Sequence, residues 1–166
     1  MNPMTTTTDN NPILNEPVPD FSAAMTGQAS FSLSAFRGKN LILYFYPKDN
    51  TPGCTAESID YRDLYPEFQK ANAEIIGISR DSIRSHDNFK AKLELPFPLI
   101  SDPDESVCNL FGVMKTKKMY GKPARGIQRS TFLIDPAGRL VKEWRGVSVP
   151  GHVEEVLQAV QALAAK

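Results

Sequence analysis

The chain has no cysteine pair at close spacing. Its two cysteines, Cys54 and Cys108, are far apart, and neither of its two histidines, His86 and His152, lies near them. That excludes a zinc site, whose ligands come at short Cys and His spacings, and it argues against a C-x-x-C disulfide oxidoreductase. Long apolar runs are lacking too. The longest, Leu41 to Tyr46, is far too short to cross a bilayer. The first eleven residues are rich in Thr and Asn and lack the basic-then-apolar order of a secretory signal, so residues 1–16 read as a disordered tail. Nor is there an excess of one charge: 19 Lys and Arg balance 19 Asp and Glu, which gives no electrostatic case for nucleic acid or membrane partners. Two cysteines without an export signal suggest a reducing compartment, read as the cytoplasm, where a thiol is kept for chemistry or for packing.

The 166 residues suit one compact domain, taken as 17–166. Phe21 to Phe36 holds short apolar pieces broken by Gly27, consistent with a small hairpin. Leu41 to Tyr46 is a β-branched and aromatic run between Gly38 and Pro47, the pattern of a buried central strand. Thr51-Pro52-Gly53-Cys54 then opens a helix, with threonine suited to the cap and proline to the first turn. Tyr61, Leu64, Tyr65 and Phe68 keep its apolar stripe, and Pro66 is expected to kink or split it. Ala73 to Ser79 is a second strand, Ser82 to Leu93 a helix, and Pro98 to Ser101 a short strand. Asp102 to Glu105 reads as a helix start with Glu105 in a capping box. Met114 to Gln128 reads as a loop. Ser130 to Asp135 and Arg139 to Trp144 are strands joined by Pro136-Ala137-Gly138, and a helix from about Pro150 closes the chain. The order β-α-β-α-β-α-β-β-α predicts an α/β protein of thioredoxin-like fold, with a central mixed sheet flanked by helices.

Within this frame Cys54 is set apart from an ordinary packing thiol. It falls in the first turn of a helix that follows a core strand, where unpaired backbone N–H groups and the positive end of the helix dipole favour an anion. Such a position favours the thiolate, the nucleophilic form of a cysteine. Thr51, three residues earlier, can hydrogen-bond the first turn or a bound oxygen. Glu57, one turn later, can hold an arginine in place. Tyr44 and Tyr46 flank the loop that leads to Cys54, so that either one of them packs inward toward the site or both share one face opposite Phe45, and Tyr44 is taken as a candidate supporting residue.

Pro47-Lys48-Asp49-Asn50-Thr51-Pro52-Gly53-Cys54 fits the pattern P-x-x-x-T-x-x-C, and "YFYPKDNTPGCTAE" resembles the catalytic loop of the bacterioferritin comigratory protein (peroxiredoxin Q) group of peroxiredoxins. "GISRDS", "SDPDESVCNLFGV" and "GIQRSTFLIDPAGRL" resemble that group's later segments in the same order. The resemblance runs from about Pro17 to Val156. It implies a thiol peroxidase, acting on hydrogen peroxide and organic hydroperoxides without a cofactor. Cys54 would be the nucleophile. Pro47 would shield it, and Thr51 would hydrogen-bond the sulfur and the peroxide oxygen. Arg129 would bring a permanent cation to the same place, held by Glu57.

The chain departs from the group at the resolving cysteine. The position five residues beyond Cys54 is Ile59, and Ser82 to Leu93 contains no cysteine. A sulfenic acid must be reduced before it oxidises further, so the expectation is a one-cysteine cycle completed by an outside thiol such as thioredoxin, glutaredoxin or glutathione. Cys108 is the only other candidate. It shares a helix with Val107, Leu110 and Phe111 and reads as a buried packing thiol, while a two-cysteine cycle through Cys108 or an intersubunit disulfide stays open. So does a non-enzymatic reading, a redox sensor or thiol-dependent holdase. With no large apolar face evident, a monomer is expected. His86 reads as a surface residue, Trp144 as strand packing, and His152 as no base. The segment 114–128 carries Lys115, Lys117, Lys118, Lys122 and Arg125 without an acid; it reads as a solvated loop or as a docking site for glutathione or an acidic reductant.

Overall fold

The computed structural model describes residues 11–164. Its core strand, β3 (Asn40–Phe45), is buried along its whole length. It therefore shows a continuous apolar run rather than alternation, as a strand covered on both faces must. Before it come a hairpin, β1 (Ser22–Met25) and β2 (Ala29–Ser32), and a 3-10 turn, Leu33–Phe36. After it come α1 (Pro52–Lys70), β4 (Ala73–Ser79), α2 (Ile83–Leu93), β5 (Leu99–Ser101) and the short α3 (Ser106–Leu110). A second hairpin follows, β6 (Met114–Met119) and β7 (Lys122–Ile127), then β8 (Ser130–Ile134), β9 (Leu140–Arg145) and α4 (His152–Ala164). Seven strands form one sheet in the order β2-β1-β5-β4-β3-β8-β9. The central three are parallel, and the outer pairings β3–β8, β8–β9 and β1–β5 are antiparallel. The fold is the expected mixed thioredoxin-like α/β sheet with helices on both faces.

The alternation of β3 divides the core into two layers. Ile42, Tyr44 and Tyr46 face one cluster with Tyr61 and Phe68 of α1, Phe89 of α2 and Val153, Val156 and Val160 of α4. Leu41, Leu43 and Phe45 face the other, with Phe31, Val107, Phe111 and Phe132. Tyr44 stacks on Tyr61 at 4.5 Å and on Tyr46 at 5.5 Å. Its cross-strand partner is Gly77, where a Cβ would lie 2.8 Å from both Tyr44 Cζ and Leu99 Cδ2. The glycine is thus what lets the tyrosine ring lie across β4. Gly77→Ala should destabilise the protein by roughly 1–3 kcal/mol through overpacking, read as a lower midpoint in thermal or urea unfolding; an unchanged midpoint would refute this packing argument.

Four expectations need correction. Pro66 does not split α1, which continues to Lys70. An interior proline costs about 3 kcal/mol, offset here by fully buried Tyr61 and Phe68 on either side of it, a phenylalanine alone contributing roughly 1.5–3 kcal/mol. The capping box at Glu105 does not form. Glu105 precedes α3 in a left-handed conformation, and Asp102 instead accepts from the Val107 and Cys108 N–H groups at 3.1 and 2.8 Å. Residues 114–128 are a β-hairpin, β6–β7, turned at Tyr120-Gly121, both with positive φ, as a tight hairpin turn requires. Its exposed lysines hid the strand pattern because only the base of the ribbon, Met114 and Ile127, lies on the core. Finally, residues 11–16, assigned to the tail, are tied down in part. Asn15 N–H donates to Leu140 O at 2.6 Å, and Leu140 N–H to Glu16 O at 3.0 Å. The remaining tail, residues 1–10, lies outside the described residues. No described helix is long and apolar enough to cross a membrane.

Candidate active site

Cys54 is the third residue of α1, which begins at Pro52 behind Thr51. It is 1% exposed, in the first turn of the helix, whose N–H groups have no partner within the helix. Arg129 Nη2 donates to its Sγ at 3.5 Å. The same guanidinium donates through Nη1 to Glu57 Oε1 at 2.7 Å. Glu57 is fully buried, and its Oε2 has no hydrogen-bond partner among the described residues. Burial pushes the Glu57 carboxyl up to about 7, against the downward pull of Arg129. Burial opposes the charge on Arg129 as well, but Glu57 and then Cys54 hold it above its usual range. Gly53 leaves room for this approach, since a Cβ there would lie 3.0 Å from Arg129 Nη2.

Thr51 donates its hydroxyl proton to Lys48 O at 2.8 Å. The proton is therefore used within the loop, and the oxygen is left as an acceptor. Pro47 is exposed at the start of the loop, where it walls a cavity of about 270 Å³ between the loop and the β6–β7 hairpin. Tyr44 is fully buried beneath α1 and shares a 2.9 Å hydrogen bond with Ser58. It props the helix that carries Cys54 and does not reach solvent.

The loop has an anchor that sequence reasoning missed. His86, read as a surface residue, is fully buried. Its Nδ1 lies 2.8 Å from Asp49 Oδ2, and its Nε2 lies 2.9 Å from Ile100 O. Asp49 also accepts from Tyr46 at 2.7 Å and from Ser85 at 2.8 Å. Burial alone would raise the Asp49 carboxyl, but these donors, His86 foremost, hold it below the usual range. The network pins the middle of the catalytic loop to α2. A polar helix stretch gave no sign of it, because the burial comes from α2 closing over the loop. Asp49, Asp81 and His86 hold ligand-type atoms within 4.8 Å of one another, but these atoms are already engaged by protein partners.

Cys108 is fully buried in the core layer on the other side of the sheet from Cys54. Burial, and then the neighbouring Asp102 carboxylate, push its thiol far above the ordinary range, which leaves it unreactive. Both cysteines are free thiols, and the intervening sheet keeps them from the close Cα approach that a disulfide needs.

The comparison with known proteins agrees with this geometry. The AhpC/TSA family model matches residues 14–143. A curated relative, peroxiredoxin Bcp of Xanthomonas campestris, is 52% identical over 145 residues, covering 87% of this chain and 91% of its own. Peroxiredoxin Bcp of Bacillus subtilis is 46% identical, covering 92% and 98%. A solved structure of the Xanthomonas campestris bacterioferritin comigratory protein, which bears on that protein's alkyl peroxide reduction activity, superposes with a TM-score of 0.86 at 49% identity, over 93% of this chain and 99% of that one. A buried thiol at a helix start, an arginine upon it and relatives of this similarity lead to one conclusion: the chain belongs to the AhpC/TSA family and is a peroxiredoxin, a thiol peroxidase, of the Bcp and peroxiredoxin Q group.

Proposed function

We propose that this protein reduces hydrogen peroxide and organic hydroperoxides by a one-cysteine cycle at Cys54, completed by an external thiol. The carrying observation is the Arg129 guanidinium 3.5 Å from Cys54 Sγ, braced by the buried carboxyl of Glu57. The thiolate sulfur attacks the hydroxyl oxygen of ROOH; the S–O bond forms as the O–O bond breaks. Cys54 becomes a sulfenic acid, and RO⁻ leaves and takes up a proton as ROH. Charge moves from sulfur to the leaving oxygen along this path, and a fixed cation beside both ends stabilises the transition state more than the ground state. With its proton given to Lys48 O, the Thr51 oxygen serves as the acceptor for the peroxide hydrogen and so orients the O–O bond. Pro47 and the Asp49–His86 anchor keep the loop in position, and Tyr44 supports the helix from below. The alkyl peroxide reduction associated with the Xanthomonas campestris relative supports organic hydroperoxides as substrates.

The sulfenic acid is then reduced by a thiol RSH, giving Cys54–S–S–R and water, and a second thiol releases Cys54 and the disulfide of the reductant. Thioredoxin, glutaredoxin or glutathione fits this role. We take the protein to act as a monomer in the cytoplasm. One equivalent of peroxide followed by mass spectrometry tests the cycle: a single added oxygen on Cys54 is expected, and a Cys54–Cys108 or intersubunit disulfide would overturn it. In the same assay Cys108→Ser should keep both oxidation and turnover with an external thiol, because Cys108 lies behind the sheet. Intact oxidation with lost turnover would instead make Cys108 the resolving residue. Oxidation of Cys54 without sustained peroxide consumption under any reductant would favour the sensor or holdase.

A further inference from the structure

The cavity beside the catalytic loop has a defined construction. In the β6–β7 ribbon Lys115 stands directly opposite Gly126 and Lys117 opposite Ala124, and directly opposed residues share one face. That face therefore carries two lysines against two of the smallest side chains, and a trough results. A Cβ at Gly126 would meet nothing within 4 Å. Pro47 and Arg80 close the trough on the loop side. Ile127 lines it as well, and Pro47, seven residues before Cys54, sets the trough beside the loop that leads to that thiol.

Its charge is one-sided. Arg80 and Arg125 share a single carboxylate, Glu105. Among the described residues neither Lys115 nor Lys117 has a carboxylate within ion-pair distance. Both are exposed, in a chain whose net charge is zero. Meanwhile Cys54, with Cys108 on the far side of the sheet, has no thiol partner within the chain.

We infer that this trough binds the carboxylates of a small peptide thiol, with glutathione as the matching chemistry, and delivers its sulfur to the Cys54 sulfenic acid. The inference rests on the one-cysteine cycle proposed above. Balance requires two thiols. The first forms Cys54–S–S–glutathione and releases water, and the second releases the Cys54 thiol and oxidised glutathione. Lys115 and Lys117, with Cα atoms about 7 Å apart along one strand, hold the two carboxylates, while the small residues of β7 leave room for the peptide.

The test is pre-steady-state reduction of peroxide-oxidised protein by glutathione and by its diethyl ester, which keeps the thiol and masks both carboxylates. Glutathione should outpace the ester in the wild type, with an advantage that shrinks as salt rises. The variant Lys115→Gln/Lys117→Gln should lose roughly tenfold in rate with glutathione and little with the ester. Gly126→Phe, which fills the trough but keeps its charge, should slow glutathione as well. Oxidation of Cys54 by peroxide is read in the same samples as loss of free thiol, so failure of the peroxidatic step is distinguishable from failure of the trough. Equal rates with glutathione and ester, or no reduction by glutathione, would overturn the inference. It would also fall if the lysine variant slowed only a protein reductant, or only oxidation by a carboxylate-bearing hydroperoxide.

Discussion

Replacing Arg129 with alanine is expected to slow the reaction of Cys54 with hydroperoxide by roughly 10²–10³-fold, the usual loss when a fixed donor to developing charge is removed. Among the described residues the guanidinium is the one cationic side chain bonded to the sulfur, and it comes from the short link between β7 and β8, far from α1 in the chain. Rapid-mixing measurement of thiol loss checks the prediction, and a rate within a few-fold of wild type would show that the helix terminus alone activates Cys54. Lysine should rescue poorly, since one ammonium cannot hold Glu57 and the sulfur at once with the fixed fork of arginine.

The same variant has a pH signature. The Glu57 carboxyl is pushed up to about 7 by burial, while Arg129 pulls it down. A raised carboxyl binds its proton more tightly folded than unfolded, so its favourable contribution to stability is full below the ordinary carboxylate range and is lost as pH rises through about 7. Without Arg129 nothing opposes burial, and that loss continues to higher pH. The gap in stability between wild type and Arg129→Ala should therefore be small at pH 6 and widen above pH 7, by up to about 1.4 kcal/mol per pH unit. A gap independent of pH would mean that Glu57 is not the group coupled to the arginine.

Cys54→Ser should reduce peroxide consumption to the uncatalysed rate. A serine hydroxyl is not ionised at neutral pH, and oxygen is a weak nucleophile without an adjacent general base; among the described residues the side-chain partner of residue 54 is a permanently charged guanidinium, which is no base. The substitution removes little volume at a buried position, so the fold should persist and the loss should be chemical. The variant should also take up no oxygen at Cys108 under peroxide, because that thiol is buried and its proton is held firmly. Residual turnover in Cys54→Ser, or oxidation mapped to Cys108, would move the chemistry away from α1.

Much of this molecule was legible before its coordinates. The buried run of β3 and the Thr-Pro start of α1 depend on local preferences written in consecutive residues, and they place Cys54 at a helix start whatever the rest of the chain does. The absence of cysteine at position 59 and along residues 82–93 is likewise a sequence fact, and it alone poses the question of how the thiol is restored. What the sequence could not decide depends on contacts between distant segments. Arg129 lies 75 positions from Cys54 and reaches it because β8 pairs antiparallel with β3, setting Ser130 against Phe45, so that the arginine falls beside the loop where β3 ends. His86 looked like a surface residue because only the closure of α2 over that loop buries it. The lysines of 114–128 looked like a loop because their order comes from cross-strand pairing rather than from a buried face. Cys108 reads as a packing residue from the sequence, and its place across the sheet gives the physical reason: the strands between the two thiols, more than their number or spacing, hold them in separate core layers.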